Sequence, residues 1–444
     1  MQLKRYLVAF IVLLGAAGIA CGSAGERAGE PDKSGELPMN HIAEQYVRLI
    51  LAVGQHDPDY VDAYYGPPEW KPSGDKVGLD LLAREAASLT EQVAKVTPAG
   101  DEIEQLRHRY LKAMLSSVSA RLRMLQGDRP SFDDESRTLY DATAPVLPES
   151  HFQEVLTSLD AHFPGSGPLI DRYETWRKSF VVPTSKLDHV FRTAIAACRE
   201  RTTRQIPLPA GETFTVGYVT GKSWSGYNWY QGGFTSLIQV NTDLPVYVDR
   251  AVDLACHEGY PGHHVYNVLL EKHLVRDRGW TEFTVYPLFS PQSLIAEGTA
   301  NYGIEVAFPG SERLAFEEAV LFPAAGLDPA TARRYYEVQA LVERLSYAGN
   351  EAARRYINRE IDARQAAAWL QQYALMSPER AQQRVRFFDQ YRSYVINYNL
   401  GKDMVREFIE GRVSQRKDPR GTDAVRWEEF GRLLSSPRLP SSLR

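Results

Sequence analysis

Apolar residues recur at three- and four-residue intervals through most of the chain, the period of a helix with one buried face. The pattern predicts helices over His41 to Val53, Leu81 to Val96, Ile103 to Leu125 and Lys186 to Ala197. It changes between Gln205 and Pro245, where TFTVGYV and SLIQVN alternate and Gly, Thr, Tyr and β-branched residues gather, which predicts one small sheet. Helical spacing returns from Val246 to Leu274, from Leu294 to Val306, and over Asp328 to Ala374 and Pro378 to Ile409. The expected fold is mainly α, with a helical part over 39–204 and a second part over 205–440 joined in one body. Its single small sheet precedes the helix that starts near Val246. One stretch fits neither period: HDPDYVDAYYGPPEW, residues 56–70, crowds aromatic and acidic side chains around three prolines and Gly66, and reads as a shaped loop.

With 444 residues, 43% hydrophobic and 24% charged, the chain supports a sizeable core. Its 51 basic and 56 acidic residues are intermixed and leave a net charge of -5, so there is no basic footprint for nucleic acid and no polybasic membrane patch. The first twenty residues stand apart. Lys4 and Arg5 precede LVAFIVLLGAAGIA, which is short for a bilayer span and ends in small residues, the form of a secretory signal. The string AGIAC resembles the lipobox of bacterial lipoproteins and makes Cys21 the expected lipidation site of an exported, cell-envelope protein held to the membrane through that lipid alone. Residues 21–38 are small and polar, as a tether should be. Cys198 and Cys256 remain, a pair that could bond outside the cytoplasm, with Cys256 expected as a buried spectator thiol.

Three of the ten histidines fall in CHEGYPGHH, residues 256–264. The preceding DRAVDLAC has a buried helical stripe in Val252, Ala255 and Cys256, so His257 and Glu258 sit inside a helix. Adjacent His-Glu in a helix is the start of the zincin pattern, in which the histidine binds zinc, the glutamate deprotonates a water and a second histidine follows one turn later. Here Pro261 occupies that position, and with Gly262 it must kink or bulge the helix. A bulge absorbing two residues brings His263 to the second ligand position. In an undistorted helix His264 returns to within about 20° of the His257 face but roughly 10 Å along the axis. Either is a candidate second ligand. The third is Glu297 in LIAEGTANYGIE, with Asn301 one turn on to hold a ligating histidine in its tautomer, and Glu305 as the alternative carboxylate. Nitrogen and carboxylate donors with one open position favour a single zinc ion, though manganese, cobalt or iron tolerate the same set.

HEGYPGHH, EGTANY and YNLGKDMVREF together resemble a bacterial family known as domain of unknown function 885, over roughly Gln205 to Glu410. His257, Glu258, Pro261, Gly262, His263 and His264 match its first signature, Glu297, Gly298 and Tyr302 the second, and Tyr398, Gly401 and Arg406 the third. The chain departs from the family's commoner text at Thr299-Ala300 and Val265-Tyr266. The resemblance implies a largely helical, zincin-like metallopeptidase of the glutamate-zincin type, similar in architecture to carboxypeptidase Taq, with Tyr302 and Arg406 lining the site or its surroundings.

The expected reaction is hydrolysis of a peptide by metal-activated water with Glu258 as general base. A tyrosine hydroxyl from the last helices would steady the oxyanion: Tyr398, with Tyr302 or Tyr394 as alternatives. The edge of SLIQVNTDLP could receive an extended peptide, with Tyr227, Asn228, Trp229 and Tyr230 as pocket walls. A zinc amidase acting on cell-wall or small-molecule amides would use the same residues. In a non-catalytic lipoprotein carrying a structural metal, Glu258 would have no task.

Overall fold

The computed structural model describes residues 36–98 and 100–443, so the signal at 1–20 and Cys21 lie outside the described residues. Helix α1 (Glu36–Gly54) begins within the last residues of the expected tether, and it buries Ile42, Tyr46, Ile50 and Val53 along one face. After β1 (Val61–Tyr64) come α2 (Leu79–Lys95) and α3 (Glu102–Leu125), both close to their predicted spans. Asp101 starts α3 by accepting the Glu104 amide at 3.2 Å, and Leu106, Tyr110, Met114 and Val118 form its buried stripe. Three short helices follow that the periodicity missed, α4 (Phe132–Tyr140), α5 (Glu149–Asp160) and α6 (Leu169–Arg177), and then α7 (Leu187–Thr203).

The predicted sheet has three strands, β2 (Thr213–Val219), β3 (Gly226–Gly232) and β4 (Thr235–Asn241), in the order β2-β4-β3. β2 runs parallel to β4 and β3 antiparallel to it. Gly232, Gly233 and Phe234 turn β3 into β4 with positive φ at each residue, which is why two of the three are glycine. Because β4 is the middle strand, SLIQVN has no free edge; the unpaired edges belong to β2 and β3.

Helices α8 (Asp249–Leu254) and α9 (His263–Leu270) come next, and then β5 (Val285–Pro287), which pairs antiparallel with β1. The 56–70 stretch therefore holds a strand of a second sheet rather than a loop alone. The remainder is helical: α10 (Pro291–Ala307), α11 (Glu312–Phe316), α12 (Phe322–Ala325), α13 (Ala332–Glu343), α14 (Ala348–Ile357), α15 (Ala363–Tyr373), α16 (Pro378–Tyr391), α17 (Ile396–Gln415) and α18 (Thr422–Leu434). The long predicted helix over 328–374 is split: Arg359 takes a positive φ after α14, and Asp362 and Gln365 restart α15 with a reciprocal capping box. Arg392 ends α16, also at positive φ, and its guanidinium is held by Glu135 of α4 at 2.6 Å.

Helix α10 is buried along nearly its whole length and crosses α17 where Gly298 faces Gly401. A Cβ on Gly298 would stand 2.5 Å from the Gly401 carbonyl oxygen, so the approach needs two glycines. Buried apolar residues from both expected parts join in one continuous core. The same core holds the bidentate pair of Arg107 and Glu282, at 2.6 and 3.0 Å. The fold is mainly α, as predicted, with two small sheets where one was expected. No helix among the described residues is long and apolar enough to cross a membrane.

Candidate metal centre

Pro261 has no amide to donate and would crowd the His257 carbonyl in a continuous helix. The chain answers by widening and then breaking. Ala255–Gly259 forms a π turn closed by the Tyr260 amide on the Ala255 carbonyl at 3.1 Å, and the Gly262 amide reaches the Cys256 carbonyl at 2.9 Å. The Tyr260–Pro261 peptide is cis. A side chain on Gly262 would overlap the His257 carbonyl, so this corner admits only glycine. α9 then starts afresh, with His263 as its first residue. The predicted bulge is thus a π turn followed by a new helix.

This corner turns His263 back towards His257, and their Nε2 atoms lie 3.1 Å apart. Glu297 on α10 completes the group: its Oε2 is 3.2 Å from Nε2 of His257 and 3.6 Å from Nε2 of His263. The three candidate ligand atoms all lie within 4.8 Å of one another. Asn301, one turn along α10, donates its Nδ2 to the Tyr398 carbonyl at 3.1 Å, which leaves Oδ1 to face Nδ1 of His257 at 3.0 Å. His257 therefore carries its proton on Nδ1 and points an Nε2 lone pair into the cluster.

The donor set fits a cation. Oε2 of Glu297 is buried without a hydrogen-bond partner, although Oε1 accepts from Tyr394 at 2.8 Å. A proton on His263 could bridge the two imidazoles but would leave Oε2 unpaired. Burial alone would raise the Glu297 carboxyl; the two facing imidazoles outweigh it and hold the group well below the ordinary carboxylate range. Two nitrogens and one carboxylate oxygen around one point match the ligand preferences of zinc.

Glu258 lies beside this group, 4% exposed, and makes no ion pair or hydrogen bond through its carboxylate among the described residues. Burial pushes its carboxyl up to about 7, with His263 and Arg250 opposing and Glu297 and Asp62 adding to the rise. Strand β3 passes close: a Cβ on Gly226 would be 2.8 Å from Oε1 of Glu258, and Asn228 donates to the Glu258 backbone carbonyl at 2.7 Å. The alternation of β3 turns Asn228 and Tyr230 inward, and leaves the Tyr227 and Trp229 rings in tilted contact on the other face, with centroids 4.5 Å apart. Tyr227 hydrogen-bonds Asp62 of β1. Burial raises Asp62 to about 6, and His263 and Glu297 both act on it, which puts this carboxyl in the surroundings of the cluster. No spacing in the sequence joins Asp62 to residues two hundred positions away.

Tyr398 meets Tyr394 edge to face with ring centroids 5.8 Å apart, and its hydroxyl has no hydrogen-bond partner among the described residues. Burial and the charges of Glu297 and Glu258 push that hydroxyl up while Arg384 pulls it down. Tyr394 is committed to Glu297.

Other candidates lie elsewhere. His264 is fully buried on the opposite side of α9, where its Nδ1 meets Ser236 Oγ at 2.9 Å and its Nε2 meets Glu212 Oε2 at 3.1 Å. Glu212 also takes the Tyr260 hydroxyl at 2.6 Å and Arg199 at 2.5 Å. His264 thus locks the corner to β4 and is no ligand, because successive residues of α9 point about 100° apart. Glu305 is drawn off by Arg406 and by Lys402 at 3.0 Å, so it is not the carboxylate of the cluster. Arg406 holds Glu305 and Asp403 rather than lining the site. The Tyr302 hydroxyl is bound to Glu410, and its ring packs on Phe430, which removes it from the centre. Cys198 and Cys256 are both buried free thiols. A cavity of about 550 Å³ between α14 and α16, lined by Tyr356, Glu360, Phe388 and Arg392 among others, touches none of the cluster residues.

The molecule is thus a mainly α body built around a cluster of two histidines and a carboxylate. Among solved structures it is similar to a proposed lipoprotein from Colwellia psychrerythraea, at 15% identity and a TM-score of 0.47 over 84% of this chain and 69% of the other. It is also similar to a proposed lipoprotein of unknown function from Shewanella oneidensis, at 14% identity and 0.38 over 80% and 72%. Both likenesses are too distant to carry an argument. No family model and no curated protein sequence matches the chain.

Proposed function

We propose that the chain is a zinc-dependent hydrolase that cleaves peptides outside the cytoplasm, anchored through a lipid on Cys21. The reading rests on one observation, the meeting of His257 Nε2, His263 Nε2 and Glu297 Oε2 beside the unpaired carboxyl of Glu258. A zinc ion in that position would supply a Lewis acid for the substrate carbonyl and lower the pKa of a water. Glu258 takes the water's proton and returns it to the leaving amine; a carboxyl raised to about 7 is poised for both tasks at neutral pH. The Tyr398 hydroxyl, which has no other partner among the described residues, donates to the oxyanion as charge develops. Asn301 fixes the His257 tautomer, and Tyr394 fixes the Glu297 carboxylate.

Cell-wall or small-molecule amides would use the same groups. Peptides are favoured because β3, whose Gly226 touches Glu258, has one edge that no strand pairs among the described residues, and an extended backbone could hydrogen-bond along it. The test is metal analysis of the purified protein together with digestion of a peptide library, using Glu258→Gln as control. The proposal expects about one zinc per chain and cleavage that the variant loses by at least roughly 100-fold. Metal-free protein that zinc does not activate, or equal cleavage by the variant, would overturn it.

A further inference from the structure

The arginines that this protein draws into its interior mostly bring a carboxylate with them. Arg107 has Glu282, Arg121 has Asp57 and Arg392 has Glu135. Arg384 on α16 does not: half-buried, it makes no ion pair and no hydrogen bond among the described residues. Its guanidinium lies 5.1 Å over the ring of Phe387, whose centroid is 6.2 Å from that of Tyr398. Tyr398 packs on Tyr394, and Tyr394 holds Glu297. Through Phe387, Tyr398 and Tyr394, Arg384 is three aromatic rings from Glu297, on the side of the Tyr398 hydroxyl.

Two further arginines bear on it, Arg380 on its own helix and Arg250, whose charge acts on it. Arg380, one turn earlier on the same face of α16, donates to the Pro245 backbone carbonyl at 2.9 Å and makes no ion pair among the described residues. Arg250, two turns before Glu258, has only Asp253 at 3.0 Å, which it shares with Arg313 at 2.8 Å. This wall of the centre carries more positive charge than its own carboxylates offset. Burial and the neighbouring Arg250 disfavour the Arg384 charge, with Tyr398 opposing, and since a guanidinium does not give up its proton an anion beside it would be favoured. The planar fork of arginine pairs with a carboxylate through two parallel hydrogen bonds.

We propose that Arg384, supported by Arg250, receives a carboxylate of the substrate, so that the protein selects peptides with a free C-terminus or an acidic side chain near the bond that is cleaved. That substrates are peptides rests on the function proposed above; the anion site rests on the arginines alone. The two are separated by measuring binding and cleavage independently.

Full-length Glu258→Gln protein, loaded with zinc, is titrated calorimetrically with one neutral short peptide in three forms: free C-terminus, C-terminal amide, and amide with one residue replaced by glutamate. At least one carboxylate form should bind about tenfold or more tighter than the neutral amide, the usual worth of a charge-assisted contact. Which form gains identifies the source of the carboxylate. Arg384→Gln on the same background should erase the preference, and Arg384→Lys should restore part of it. Equal binding of all three forms, including no binding at all, or a preference that survives Arg384→Gln with an unchanged melting curve, overturns the site. If the preference holds but protein with an intact Glu258 cleaves none of the peptides, the anion site stands and the peptidase reading falls. Cleavage of every form without preference has the opposite meaning.

Discussion

Replacing Glu258 by glutamine should make the chelator-treated protein more stable, by an amount that depends on pH. The carboxyl is buried and has no hydrogen bond to lose among the described residues, so the neutral amide fits the same space at little cost. Burial raises its pKa from 4.5 to about 7. Between those values the unfolded chain has released a proton that the folded chain still holds, so native stability falls as pH rises through this window. At 1.36 kcal/mol per unit the full penalty above pH 7 is about 3 kcal/mol, and about 1 kcal/mol of it is already present at pH 5. Glutamine carries no such penalty at any pH. In urea denaturation with EDTA present, the stability difference between variant and parent should widen by about 2 kcal/mol from pH 5 to pH 8, in favour of the variant. A constant difference, or a variant less stable than the parent at pH 8, would show that the Glu258 carboxylate is already compensated and that the argument for a poised base is wrong.

Asn301→Ala should lower zinc affinity by about 10- to 100-fold, read by chelator competition, with an unchanged circular dichroism spectrum, because it frees the His257 ring; unaltered affinity would sever Asn301 from the centre. Gly298→Ala forces a Cβ to 2.5 Å from the Gly401 oxygen where ordinary contacts are about 3.3 Å or more, and the resulting parting of α10 and α17 should cost about 1–3 kcal/mol. A neutral or stabilising result would show that the two helices have slack there. His264→Ala leaves Ser236 without its buried partner, removes one of the three partners of Glu212 and opens a cavity, for about 2–4 kcal/mol, yet it should reduce zinc affinity far less than His263→Ala. Equal losses of affinity from the two histidines would return His264 to the ligand set.

The sequence pattern reads the long helices well because each carries several turns of apolar residues at one spacing, as α1 and α3 do. It misses α4 and α6, which have too few turns to establish a period, and also α5, although Phe152, Val155, Leu156 and Leu159 follow the helical spacing. It joins α13, α14 and α15 into one stretch because neither Arg359 nor Asp362 interrupts the apolar spacing. At the centre, Pro261 and Gly262 announce a break in the helix but not its form, so His263 stands only slightly ahead of His264 until the π turn and the restart of α9 are seen. Glu305 and Arg406 look available in sequence and are in fact partners of each other. Tyr302 matches a signature yet serves Glu410. Arg384 and Asp62 are invisible to any motif, since what marks them is a missing partner in one case and a distant strand in the other.

The bond from Asn301 to the Tyr398 carbonyl ties the centre to a residue 97 positions later. Tyr394, which steadies Glu297, comes from the same late segment, and that segment is itself pinned by Glu135 of α4 through Arg392 and Ser393. The centre is therefore an assembly of early, middle and late chain. A polypeptide that emerges N-terminus first would have His257, His263 and Glu297 in hand well before anything could orient them. Competence would arrive only when α17 docks against α10. A chain cut short ahead of Tyr394 would hold all three candidate ligands but neither the Tyr394 hydroxyl nor the Tyr398 carbonyl that orient Glu297 and Asn301.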